Sequence, residues 1–196
     1  MFHQISEKIL QRMAHLEMID ARDRTDGTPR LQRMRQVPPV TGRFLALLAA
    51  SAPPGALIEV GTSAGYSSLW LSQSCQIRGD RLMTFEILPD KARLARKTFS
   101  ITESEKIITL VEGDARQYLA NIQDVAFCFL DAEKEVYLSC YDLVVPNLVK
   151  GGWLVADNAI NQAQELQSFI NFALKDERVD ALVVEIGNGL LLCRKL

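Results

Sequence analysis

Leu57-Ile58-Glu59-Val60-Gly61-Thr62-Ser63-Ala64-Gly65-Tyr66-Ser67 reads as a buried strand, a glycine-bearing turn and the start of a helix. Gly61 and Gly65 let the backbone approach a ligand closely, and the helix amino terminus presents free N–H donors. The pattern is G-x-x-x-G, not the G-x-G-x-x-G fingerprint that cradles a dinucleotide pyrophosphate, and Glu59 sets a negative charge beside the turn.

Outward from this unit, short β-prone runs alternate with helical patterns. Strands are predicted over 56–60, 82–86, 107–111, 125–130, 152–156, 181–186 and 190–194, with helices over 65–75, 90–100, 115–121, 135–148 and 162–175. Such alternation implies an α/β fold, a doubly wound and mostly parallel sheet of seven strands with helices on both faces. The end departs from the rule: Glu185-Ile186-Gly187-Asn188-Gly189-Leu190 is a hairpin signal, so one carboxy-terminal strand runs antiparallel.

Ahead of the core, Ile5, Ile9, Leu10, Met13, Leu16 and Met18 recur at helical spacing over 5–19, and 20–29 reads as a polar loop. Residues 1–35 are thus expected to be a helical extension and 36–196 the main domain. Thr41 is placed to cap a helix that Pro53-Pro54-Gly55 ends.

Of the 196 residues, 48% are hydrophobic and 23% charged, which suits a substantial core. A net charge of −2 argues against generic, charge-driven nucleic-acid binding. The longest apolar run, Phe44 to Ala52, is too short to span a membrane. No secretory signal is apparent and Cys75, Cys128, Cys140 and Cys193 form no C-x-x-C pair, so cytoplasmic location and reduced, structural thiols are expected.

Chemistry-bearing residues gather at the predicted strand ends, where open α/β sheets bind ligands. A positively charged ligand such as S-adenosylmethionine suits the Glu59 turn better than a pyrophosphate does. Glu86, ending the second strand 25 residues after Gly61 (86−61), is placed for ribose hydroxyls, and Asp114, beside Ala115, for an adenine amino group. Asp131, Asp157 and Asn158 offer two carboxylates and an amide oxygen, a hard-cation set suited to Mg²⁺, Mn²⁺ or Ca²⁺. Lys134 adds an amine.

The segments E-V-G-T-S-A-G-Y-S, F-E, E-G-D-A, F-L-D-A-E-K and V-A-D-N, with the terminal hairpin, resemble the cation-dependent O-methyltransferases, the group of catechol and caffeoyl-CoA O-methyltransferases. The resemblance runs from about Arg35 to Leu196. It implies a Rossmann-like class I methyltransferase fold binding S-adenosylmethionine through Glu59, Gly61, Gly65, Ser67, Glu86, Asp114, Ala115 and Asp131. It implies a divalent cation on Asp131, Asp157 and Asn158, Lys134 and Asp131 as catalytic residues, and a homodimer. Two departures stand out: the loop after Asn158 runs almost directly into a helix, and Ala132 stands where some relatives carry a larger side chain.

The expected reaction is methyl transfer to a hydroxyl of a small vicinal-dihydroxy aromatic, with Lys134 as proton acceptor and Met34 to Val40, Tyr137 and 158–162 as candidate acceptor walls. One alternative acceptor is a hydroxylated base in tRNA, suggested by Arg22, Arg24, Arg30, Arg33 and Arg35 and diluted by Asp20, Asp23 and Asp26. A different reading makes the chain itself a non-catalytic protein that binds S-adenosylmethionine; the complete ligand set argues against it.

Overall fold

In the computed structural model, which describes residues 1–196, the strand β4 (Val125–Leu130) is apolar throughout and buried throughout. A parallel strand covered on both faces needs that continuous run. Its side chains alternate between two cores: Phe127 and Phe129 face one, Cys128 and Leu130 the other. Truncating Phe129 to alanine would cost about 3–5 kcal/mol.

Six further strands complete one sheet: β1 (Ala56–Val60), β2 (Leu82–Glu86), β3 (Ile108–Glu112), β5 (Leu148–Ala156), β6 (Val179–Val184) and β7 (Leu190–Lys195). The order is β3-β2-β1-β4-β5-β7-β6, parallel except for β7, which is antiparallel to both β5 and β6. Chain order reverses between β1 and β4, so their carboxyl ends open the crevice where such sheets bind ligands.

The helices are α1 (Glu7–Asp23), α2 (Pro39–Ala50), α3 (Tyr66–Arg78), α4 (Pro89–Ile101), α5 (Arg116–Leu119), α6 (Tyr137–Val144) and α7 (Ala163–Ala173). α1 to α4 fill the core on one face, and α5, α6 and α7 fill the other. The apolar stripe of α1 covers its own chain's core, with Ile9, Met13 and Leu16 buried beside Leu45, Trp70 and Phe99. No helix is long and apolar enough to cross a membrane.

Several boundaries differ from the sequence reading. α1 continues to Asp23 through the expected loop, because Asp20 and Asp23 turn inward and accept backbone N–H bonds from Gln36 and Met34. Thr41 is no cap: Pro39 starts α2, and Thr41 is buried within its first turn. The expected helix over 135–148 is α6 flanked by 3-10 turns, Lys134–Val136 and Val145–Asn147. β5 begins at Leu148 rather than 152, since Gly151-Gly152 lie at a bulge across which the pairing with β4 shifts register.

Candidate active site

A cavity of about 460 Å³ opens over the carboxyl ends of β1, β2, β3 and β4. Its floor is the β1–α3 turn. Gly61 has φ +100° and donates its N–H to Phe85 O, while Ser63, at φ +48°, donates its N–H to Glu86 Oε2 at 2.7 Å. Glu86 Oε1 takes the Leu88 N–H at 2.9 Å, so both oxygens of this carboxylate are fixed by backbone at the cavity wall. Gly61, Ser67, Glu86, Asp114, Ala115 and Asp131 all line the cavity. Asp114 is tied to Arg116, whose guanidinium holds its carboxyl below the usual range.

Two of the expected cofactor contacts sit elsewhere. Glu59 is wholly buried behind the turn and accepts hydrogen bonds from Ser67 Oγ at 2.6 Å, Thr84 Oγ1 at 2.7 Å and Ser68 Oγ. Its place is structural, because a strand interior leaves it no path to the cavity; burial, only partly offset by the hydroxyls, pushes its carboxyl up to about 7. Gly65 is the N-cap of α3 and backs onto Phe99, off the cavity wall.

The structure brings Asp131, Lys134, Asp157 and Asn158 together. Lys134 Nζ donates to Asn158 Oδ1 at 2.5 Å, Tyr137 Oη at 2.7 Å and Ala132 O at 3.0 Å, and stands 3.5 Å from Asp131 Oδ1. Asn158 follows β5 with φ +67°, a conformation asparagine tolerates better than most residues. The hairpin reaches across to brace this loop: Asn188 O accepts from Ile160 N and Asn161 N, and Gly189 O from Ala159 N.

Asp157 is buried, and its Oδ1 has no hydrogen-bond partner. An acceptor left bare in a dry site carries a large desolvation penalty. Burial raises both the Asp157 and Asp131 carboxyls, the Asp131 charge adding to the rise at Asp157, while burial lowers Lys134. No cluster of three or more histidine, cysteine or acidic side chains occurs, so the candidate donors are two carboxylates and an amide. Those donors fit a hard divalent cation, which would complete the bare oxygen and relieve the repulsion.

Tyr137 is not the acceptor wall expected of it. It is fully buried, its ring lying under Lys134 Nζ at 4.5 Å and its hydroxyl supporting the amine. Of the other two expected segments, residues 34–37 of the first and Asn158, Asn161 and Gln162 of the second do line the cavity, joined by Arg30, Leu31 and Arg33. The strap over 30–37 is pinned where Ser63 Oγ donates to Met34 O at 2.8 Å, and where Lys91 Nζ donates to Gln32 O and Arg33 O at 2.8 and 2.6 Å. A lysine in the first turn of a helix carries no sequence signal of burial, so the clamp made by Lys91 is visible only in the fold. Glu133 went unnoticed as the partner of Arg30 and Arg35, 103 and 98 residues away (133−30, 133−35), because nothing local couples them.

The O-methyltransferase family model matches residues 10–196. A catechol O-methyltransferase from Niastella koreensis is 30% identical over 135 residues, 66% of this chain and 61% of that protein, so the matched part spans about three fifths of the relative. Among solved structures, the Bacillus cereus O-methyltransferase in complex with SAH superposes with a TM-score of 0.79 at 20% identity, covering 95% of this chain and 91% of that one. TomG from Streptomyces achromogenes, in complex with SAM, gives 0.74 at 21%, covering 92% and 88%.

Proposed function

The chain belongs to the O-methyltransferase family, and we propose that it transfers the methyl group of S-adenosylmethionine to one hydroxyl of a small vicinal-dihydroxy aromatic, assisted by a divalent cation. The observation that carries this reading is the gathering of Asp131 and Asn158 about the Lys134 amine at the edge of the cofactor cavity, with the adjacent Asp157 buried behind them and its Oδ1 lacking a hydrogen-bond partner. The Niastella relative's name supports the acceptor class.

Gly61, Ser67, Glu86, Asp114 and Ala115 would hold the cofactor, with Glu86 on the ribose and Asp114 on the adenine. Asp131, Asp157 and Asn158 would hold the cation, which supplies Lewis-acid activation of an adjacent hydroxyl. Lys134 would accept the hydroxyl proton at Nζ. Burial favours its neutral form, and Tyr137 and Ala132 O fix its direction. Pinning the acceptor oxygen in line with the methyl group is the other contribution asked of the walls.

Residues 1–35 are proposed to serve this site rather than merely precede it, since Arg24, Arg30, Leu31, Arg33, Met34 and Arg35 stand on its wall. A tRNA acceptor is less favoured: the chain carries a net charge of −2, and Arg22 and Arg24 are engaged in ion pairs with Asp26 and Asp20. The test is methyl transfer from labelled S-adenosylmethionine to vicinal diols with Mg²⁺ and with EDTA. Transfer that needs the metal supports the proposal; transfer undiminished by EDTA overturns the cation's part, and none to any diol overturns the acceptor class.

A further inference from the structure

Arg30 and Arg35 converge on one carboxylate. Arg30 Nη2 stands 2.9 Å from Glu133 Oε2 and Arg35 Nη2 2.7 Å from Glu133 Oε1, at the cavity rim. Two guanidiniums against one carboxylate leave a positive charge in excess, and Arg33, whose Nε donates to Thr28 O, adds another to the same wall.

The strap holds Arg35 in an unusual way. Its φ is +49°, the left-handed region that an arginine seldom adopts. Both neighbours are tied down: Met34 N and Gln36 N donate to Asp23 and Asp20, and Met34 O accepts from Ser63. Backbone held against its preference on both sides of a cavity-facing side chain directs attention to that side chain's task. Arg30 and Arg35 line the same cavity as Asp131, Lys134 and Asn158, so the arginine pair and the reacting end share one chamber. Glu133 is two residues from Asp131 and one from Lys134. An acceptor with its hydroxyls at Asp131, Asn158 and Lys134 would therefore extend its far end toward the pair.

We propose that Arg30 and Arg35 form a subsite for an anionic group on the acceptor, a carboxylate or phosphate, for which Glu133 is the chain's own stand-in. This rests on the O-methyltransferase reading above and narrows its substrate class. The fork of a guanidinium matches both anions in bidentate geometry, and the side chains are half-exposed, open to exchange partners. A neutral acceptor leaves the arginines on Glu133 and gains nothing from them.

The probes are 3,4-dihydroxybenzoate and 4-methylcatechol, which differ in the anion. Their affinities for the full chain loaded with S-adenosylhomocysteine and Mg²⁺ are read by calorimetry, and their kcat/KM values by turnover. The carboxylate is expected to be favoured roughly tenfold or more in both readouts, with a preference that weakens in salt. Replacing both arginines (Arg30→Ala with Arg35→Ala) brings the ratio to about one, and Glu133→Gln, which removes the competing carboxylate, raises it. Equal affinity for the two probes overturns the proposal. So does a double variant that weakens both probes alike and keeps their ratio, the behaviour of a mere latch between strap and core. A binding preference without any turnover sinks the reaction assigned above and leaves the subsite; turnover of 4-methylcatechol with no carboxylate advantage does the reverse.

Discussion

Gly61 and Asp131 touch at the β1–β4 boundary so closely that a Cβ on Gly61 would stand 2.0 Å from the Asp131 carbonyl oxygen. The floor of the cofactor cavity and the first candidate cation ligand are therefore one piece of structure. Asp131 N donates to Val60 O at 2.9 Å on the same seam. Gly61→Ala adds both that clash and a strained positive φ, so it is expected to cost at least about 2 kcal/mol and to weaken S-adenosylhomocysteine binding together with cation binding. Urea unfolding and calorimetry on the variant check this; a stable variant with normal affinity for both would contradict it.

Glu59 supplies a pH dependence. Its buried carboxyl, at about 7, lies above the ordinary value of 4.5. The unfolded chain thus loses this proton first as pH rises, and stability falls between pH 4.5 and 7, by on the order of 3 kcal/mol in total. Glu59→Gln keeps the shape and removes the titration. Unfolding midpoints at pH 5 and pH 8 should differ less in the variant than in the parent; parallel profiles would place the titration elsewhere.

Lys134 is expected to matter for rate and little for cofactor affinity. Lys134→Met should lower kcat by about 10²- to 10⁴-fold, the usual range for a general base. S-adenosylhomocysteine binding should change only a few-fold. Steady-state kinetics with calorimetry decides the matter, and a variant with near-parental kcat would remove the amine from the mechanism.

Away from the cavity wall, Asp176 ties the loop between α7 and β6 to α6. It accepts from Tyr141 Oη at 3.0 Å, from Arg178 N and Nε at 2.9 Å each and from Arg178 Nη2 at 2.6 Å. Arg178 holds the carboxyl well below its usual range, so its contribution is present above the unfolded value and is lost as pH falls through the folded one. Asp176→Ala should cost about 1–3 kcal/mol at pH 7 and progressively less below pH 4, with kcat untouched. Chemical denaturation across that range, run beside the methyl-transfer assay, is the check.

How much of this was legible follows from where the information lies. β4 is marked by six consecutive apolar residues and β2 by a short β-prone run ending in Glu86, and both occupy the expected 125–130 and 82–86. β5 begins ahead of the expected 152 because Gly151-Gly152 sit at a bulge inside the strand, and glycines carry no strand signal of their own. Asp131, Lys134, Asp157 and Asn158 stood out as polar residues ending apolar strands, and sheet topology alone suffices to gather them. Glu59 and Tyr137 were misplaced for the opposite reason: which side of a strand or helix start faces a cavity depends on register and packing. The strap was only half legible. Its arginines were visible, but their partners Glu133 and Asp20 and the clamp Lys91 are fixed by tertiary contacts that leave no local pattern.

The bare Oδ1 of Asp157 makes the central claim directly measurable. The parent chain and Asp157→Ala are stripped with EDTA, supplied with saturating S-adenosylmethionine and a vicinal diol, and titrated with Mg²⁺ while methyl transfer is followed. The account expects a silent stripped parent that regains activity saturably with Mg²⁺, and a variant that does not recover over the same concentrations. A stripped parent that transfers methyl groups at full rate, or an Asp157→Ala variant that responds to Mg²⁺ as the parent does, would contradict it.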